Sequence, residues 1–199
     1  MLATENRTRY DNARRAMIDS QLRTSGINDP AVLARMASVP REDFVPEGQR
    51  AAAYADRAVR LPEGGAMPPP VFHGMLLAEA RPTRADRVVV VDGGSGYLPA
   101  LVAPMAATVE TVTPADAAAG KLSDKAATLL LIDGAVEHIP EALAKELADG
   151  TRVITGLSDR GVTRLAAGRK TGSALGLVPL AETGVPRLPA FDREASWSF

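Results

Sequence analysis

The part of this sequence best equipped for chemistry is Asp92-Gly-Gly-Ser-Gly96, a carboxylate leading into a glycine-rich turn. It follows the apolar run Val88 to Val91 and precedes a second apolar segment, Leu98 to Met105. Successive valines read as a strand buried on both faces, and glycines behind it let backbone amides approach a ligand closely. A nucleotide-like cofactor is the expected ligand. Leu129 to Ile132 repeats the design, a buried strand predicted to deliver Asp133 and a tight Gly134 turn to the same rim. In an open α/β sheet the ligand sits beyond the carboxyl ends of the strands, so Asp92 to Tyr97 and Asp133 to Glu137 should border one crevice. Either strand could also end in Asp-Gly merely to turn. A Gly-x-Gly-x-x-Gly dinucleotide fingerprint is absent, because Pro99 stands in its last position.

Other chemistries are poorly supplied. The chain has no cysteine, which excludes disulfides, thiolate metal sites and a cysteine nucleophile. Its two histidines, His73 and His138, are far apart in sequence, so no metal centre is expected; His138 reads as a surface residue ahead of a proline-started helix. Net charge is -1 with both signs interspersed, which leaves neither a nucleic-acid footprint nor a polybasic membrane patch. The first ten residues lack the apolar core of a signal peptide, and no run approaches the roughly 18 apolar residues of a membrane span. A cytoplasmic protein of 199 residues in one domain is the expectation, residues 1–80 forming a helical cap and substrate-side loop and 81–199 the core.

The elements that must hold these turns in place can be read along the chain. Thr4 to about Thr24 carries apolar residues at helical spacing and stops at Gly26; Asp29-Pro30 then offers an N-cap and a first-turn proline for a short helix ended by Pro40. Helical turns are expected within Gly48 to Arg57, a stiff loop over Leu61 to Pro70, and a helix over His73 to Ala80. From Arg87 the order is strand (Arg87 to Val91), helix (Tyr97 to Met105) and strand (Thr108 to Val112), then strand (Thr128 to Ile132), helix (Ile139 to Leu147) and strand (Arg152 to Leu157). Two further strands, Val162 to Arg169 and Ala174 to Leu180, predict a closing antiparallel hairpin on a mainly parallel α/β sheet. Trp197 and Phe199 are expected to bury against that sheet.

Several blocks carry a family resemblance: Ala13-Arg-Arg-Ala-Met-Ile-Asp-Ser-Gln-Leu22, Gly26-Ile-Asn-Asp-Pro-Ala-Val-Leu33, Val39-Pro-Arg-Glu-Asp-Phe-Val-Pro46 and Ala53-Tyr-Ala-Asp56. They resemble the amino-terminal half of the protein-L-isoaspartate O-methyltransferases. Gly94-Ser-Gly-Tyr97, the segment Ile132 to Leu143 and the closing Val185-Pro-Arg-Leu-Pro-Ala-Phe191 extend the likeness over nearly the whole chain. The resemblance implies a Rossmann-like enzyme that moves a methyl group from S-adenosylmethionine to the carboxylate of an isoaspartyl residue in a damaged protein or peptide. It implies a cofactor site of Asp92, Gly93, Gly94, Ser95, Gly96, Thr113, Asp116 and Asp133, and a substrate side of Met67, Pro70, Phe72, Gly134 and Ala135. Such chemistry asks little of side chains: a carboxylate is already nucleophilic and a sulfonium methyl already electrophilic, so catalysis is mostly positioning.

The chain departs from the family pattern at four places. Pro68 stands where the family has a serine near the reacting groups. Val90 occupies the position of its usual acid and Asp92 that of its first glycine. Thr113 replaces the acid expected to hold the ribose, with Asp116 as the better-placed substitute and Glu110 predicted on the opposite strand face. Only residues 113–127 remain between two strands, just above the roughly 10 to 12 that a bare crossover consumes, so the third strand is expected to be missing. Two readings stay open: a methyltransferase in which Asp92 and Asp116 take over from the lost acids, and a non-catalytic descendant that binds peptides or proteins.

Overall fold

The computed structural model describes residues 2–193, so Trp197 and Phe199 lie outside the described residues. Its main sheet has six strands: β3 (Arg87–Val91), β4 (Thr108–Val112), β5 (Leu129–Val136), β6 (Arg152–Asp159), β7 (Val162–Thr171) and β8 (Ala174–Glu182). Their spatial order is β4-β3-β5-β6-β7-β8. The pairs β3/β4, β3/β5 and β5/β6 are parallel, while β6/β7 and β7/β8 are antiparallel. This is the expected mainly parallel α/β sheet with its closing hairpin.

Strand periodicity explains why the central strands are apolar throughout. Val88, Val90, Leu129 and Leu131 point into one core with the amino-terminal helices. Their neighbours Val89, Val91, Leu130 and Ile132 point into a second core on the opposite face, with Ala117, Leu143 and Phe191. A sheet covered on both sides has no polar face to keep, so alternation disappears from the sequence.

The first core is roofed by α1 (Leu2–Met17), its π-helical extension Ile18–Leu22, α2 (Pro30–Ser38) and α3 (Pro70–Ala80). Asp29 caps α2 as its sequence position implies, its carboxylate accepting from the amides of Ala31 and Val32. Between α2 and α3 run two 3-10 turns, Arg41–Phe44 and Glu47–Ala52. A small antiparallel ribbon, β1 (Val59–Arg60) with β2 (Ala66–Met67), starts just before the expected loop and takes its second strand from it. Among the described residues no helix is long and apolar enough to cross a membrane.

Two features at the sheet position the site. The connection from β4 to β5 holds only the short helix α5 (Pro114–Ala118) and turns, so β4 is the sheet edge and the third strand is indeed absent. The Glu110 carboxylate closes that edge by accepting from the amides of Ser123 and Asp124, both at 2.7 Å. The second feature corrects an expectation: β5 does not turn at Asp133 but continues to Val136, with a register break between Leu131 and Ala135. The cause lies far along the chain. Residues 185–188 return to β5, where the Ala135 amide donates to the Pro186 carbonyl and the Leu188 amide to the Ala135 carbonyl, so the segment stays extended.

Candidate functional site

At the carboxyl end of β3 the chain folds onto its own acid. The Asp92 carboxylate accepts from the Gly94 amide at 3.1 Å and the Gly96 amide at 3.0 Å, and Ser95 Oγ accepts from the amide of Tyr97, the first residue of α4 (Tyr97–Val102). Gly94 and Gly96 both lie in the left-handed region, which lets their amides converge on one carboxylate. Burial, and next the charge of Asp133, push the Asp92 carboxyl above its ordinary value. Against this turn packs the loop between β1 and β2: a Cβ added at Gly65 would stand 2.3 Å from the Gly93 carbonyl oxygen. Only a residue without a side chain permits that approach.

Beneath the turn lies a buried chain of charge that sequence reasoning did not find. Arg41, His73 and Asp133 are each no more than 1% exposed. Arg41 Nη1 meets His73 Nδ1 at 3.0 Å, and His73 Nε2 meets Asp133 Oδ1 at 2.8 Å. A guanidinium has only donors, so His73 Nδ1 must accept; the ring proton therefore sits on Nε2 and is donated to Asp133. His73 is thus a neutral bridge between a buried cation and a buried anion. Arg41 also donates to the carbonyls of Ala53 and Pro68 and lies 4.8 Å from the Tyr97 ring centroid. Asp133 Oδ2 is buried with no hydrogen-bond partner among the described residues. The sequence signal for this chain was slight: a histidine inside the apolar run of α3 and an arginine between Pro40 and Phe44.

A second network ties the amino-terminal blocks together. Arg14 donates to Glu42 and to the Tyr54 hydroxyl, Tyr54 donates to Glu42, and the Arg41 amide donates to the Tyr54 oxygen. Helix α1, the first 3-10 turn and Tyr54, just past the second, thereby hold Arg41 in register with His73.

The neutral state of His73 sets a pH dependence. Burial holds its pKa below the ordinary 6.5, outweighing the opposing pull of Asp133. In the window between the folded value and 6.5 the unfolded chain binds a proton that the folded chain refuses. Stability from this site is therefore complete above 6.5 and declines as pH falls through that window. Asp92, whose folded value is raised, has the opposite sign: its contribution is largest below its unfolded value and is lost as pH rises through the folded one. Urea midpoints at about pH 7.5 and 5.5 should differ, and the difference should shrink in His73→Gln but persist in Asp92→Asn. Equal midpoints in the parent protein would mean that the ring titrates normally.

The structure places the sequence-selected residues in two groups. Met67 ends the ribbon, Pro68 follows it and Pro70 opens α3; they join Asp92 to Gly96 and Asp133 to Ala135 around the carboxyl ends of β3 and β5, with Gly134 under the Leu188 side chain. Asp133 lies inside this group rather than at an open rim, because β5 continues past it. Phe72 is fully buried in the core beside His73, their ring centroids 6.0 Å apart. Thr113 and Asp116 form the second group at the end of β4, next to the glycine turn, where the Asp92 amide donates to the Val112 carbonyl at 3.0 Å. Thr113 Oγ1 caps α5 by accepting from the Asp116 amide and donates to Asp116 Oδ2, while Lys121 pairs with Asp116 Oδ1.

These residues fit the amino-acid end of the implied cofactor. A Cβ added at Gly94 would meet only the Leu61 side chain, at 3.7 Å, so one side of the turn offers bare backbone. A buried carboxylate with a free oxygen lies behind it. At the ribose end the candidate acceptors, Thr113 and Asp116, already hold each other.

Comparisons with known proteins agree with this geometry. The family described as Protein-L-isoaspartate(D-aspartate) O-methyltransferase matches residues 12–130, from α1 to the start of β5. A protein-L-isoaspartate O-methyltransferase of Koribacter versatilis is 31% identical over 199 residues, spanning 88% of this chain and 90% of the relative. One from Roseiflexus castenholzii is 30% identical over 190 residues, spanning 83% and 87%. A Plasmodium falciparum crystal structure assigned to the same methyltransferase type, in complex with S-adenosyl-L-homocysteine, superposes with a TM-score of 0.68 at 16% identity, covering 91% of this chain and 98% of that one. The matched region holds the cap with its Arg14–Glu42–Tyr54 network, the glycine turn and two members of the buried chain, Arg41 and His73, and by these matches the chain belongs to the protein-L-isoaspartate O-methyltransferase family.

Proposed function

We propose that this protein methylates isoaspartyl carboxylates of damaged proteins or peptides in the cytoplasm, with S-adenosylmethionine as the methyl donor. The observation that carries the reading is the near full-length match to curated enzymes of this name, which includes both the cap and the core. Nothing in the fold or the comparisons favours a non-catalytic descendant.

The residues divide the work by position. The cofactor supplies an electrophilic methyl group on sulfur, and the incoming carboxylate needs no base to remove a proton from it. Gly94 offers bare backbone for close approach, Gly93 packs between the Asp133 and Ala66 carbonyls, and Asp92 holds the turn in shape through the Gly94 and Gly96 amides. Asp92 and Asp133 place negative charge beside the turn, which favours a ligand with cationic amino-acid and sulfonium groups. Thr113 and Asp116 would accept from the cofactor's ribose hydroxyls once their mutual bond is loosened. Met67 to Pro70 wall the crevice and exclude water, and Pro68 contributes a carbonyl to Arg41 where the family pattern would place a hydroxyl.

The test is transfer of a labelled methyl group from S-adenosylmethionine to an isoaspartyl peptide, with the aspartyl isomer of the same peptide as control. Label should enter the isoaspartyl peptide alone and leave on mild base, as a methyl ester does. Folded protein that binds S-adenosylmethionine in calorimetry yet labels neither peptide would overturn the substrate assignment. Folded protein that binds no cofactor at millimolar ligand would overturn the reading as a whole.

A further inference from the structure

Next to the glycine turn the molecule has a concavity of which the methyl-transfer reading uses only the Pro69 wall. Its volume is about 460 Å³, and Ala66, Pro69, Val185 and Pro186 line it with Asp56, Arg57 and Arg60. Its place in the fold ties it to the reaction site. The Ala66 carbonyl faces Gly93, Pro186 accepts the Ala135 amide, and Val185 lies against Gly156. Ala66 is therefore a shared wall: the glycine turn stands on one side and the concavity on the other.

Charge identifies what the concavity suits. Arg57 and Arg60 are exposed, and neither guanidinium has a hydrogen bond or ion pair among the described residues. Arg87, Arg152 and Arg187 do pair with carboxylates, so free forks on this rim are not forced by a shortage of acids. Asp56, the acid nearest in sequence, is turned to the start of α3, where it accepts from the Val71 amide at 3.4 Å. The rest of the wall is aliphatic and proline. Such a surface fits an extended peptide that lays small apolar side chains on the proline wall and presents a carboxylate to the two forks.

We propose that this concavity holds the substrate polypeptide beside its isoaspartyl residue, and that Arg57 and Arg60 select an Asp or Glu side chain within about two residues of it. Two residues of extended chain span at most roughly 7 Å, which sets the reach of this selection. The proposal rests on the methyltransferase reading for the identity of the neighbouring residue. Its own content is the preference for an acidic flank.

The experiment uses isoaspartyl peptides that differ only in carrying Glu, Gln or Lys at the flanking positions. KM should be about three- to tenfold lower for Glu than for Gln, a range suited to exposed charge-assisted contacts, and highest for Lys. The preference should weaken with added salt and disappear in the double variant Arg57→Gln/Arg60→Gln. Charge reversal, Arg57→Glu/Arg60→Glu, should turn it towards the Lys peptide. The same ranking should appear in fluorescence anisotropy of labelled peptides binding without turnover, which separates this proposal from any failure of methyl transfer. Equal binding of the three peptides, or a Glu preference that survives the double variant, would overturn it.

Discussion

Replacing Arg41 with methionine should destabilise the protein by about 3–5 kcal/mol, the cost typical of removing one partner from a buried charge pair. The guanidinium is fully buried, yet it is satisfied on every side: His73 Nδ1, two carbonyls and the Tyr97 ring face. Methionine fills comparable volume but leaves the Pro68 and Ala53 carbonyls and the His73 nitrogen without a donor. It also strands the Asp133 carboxylate without its counter-charge. Urea denaturation followed by circular dichroism reads the loss directly. Lysine at this position keeps the charge without the fork, so Arg41→Lys should recover only part of it. Adding Asp133→Asn to Arg41→Met should give back stability, because the orphaned anion goes with it; additive losses would show that the two charges do not communicate through His73.

Asp92→Ala should leave the fold intact and weaken S-adenosylmethionine binding about tenfold to a hundredfold, as expected for charge-assisted hydrogen bonds worth roughly 1.5–3 kcal/mol. Asp92 lies outside both hydrophobic cores, and its visible work is to gather the Gly94 and Gly96 amides. Without that carboxylate two glycines in the left-handed region have nothing to hold them there, and the ordering cost passes to ligand binding. Asp92→Asn keeps an acceptor but loses the charge, and should bind with an affinity between those of the parent protein and Asp92→Ala. Calorimetric titration of the three proteins decides the matter, and equal affinities would remove Asp92 from the cofactor site.

The architecture was legible where local pattern and chain arithmetic sufficed. The valine run announced β3 because burial on both faces erases alternation, and the shortness of residues 113–127 announced the missing strand because a helix, strand and loop cannot fit. Asp29 was readable as a cap from its place before Pro30. What escaped was set by partners distant in sequence. Asp133 was expected at an open turn, but residues 185–188 supply hydrogen bonds that keep β5 extended and leave that carboxylate buried. The Leu61 to Pro70 stretch reads as a loop from its composition, and only pairing across it makes β1 and β2. Arg41 and His73 belong to no motif of the glycine turn. Their roles come from Arg14, Glu42 and Tyr54, which fix the cap in a register no periodicity encodes.

The return of residues 185–188 to the middle of β5 also orders events during synthesis. The strands that cradle the glycine turn, β3 to β6, leave the ribosome before their last partner has been made. Until Val185 to Leu188 follow, the Ala135 amide and carbonyl lack their partners and Gly134 lacks its Leu188 cover. Contacts of such long sequence separation form late, since the closure entropy of the intervening loop must be met first. The nascent chain can therefore bury most of both cores early, while Val185, Leu188 and Phe191 join them, and the crevice matures, only after the β7/β8 hairpin has been translated.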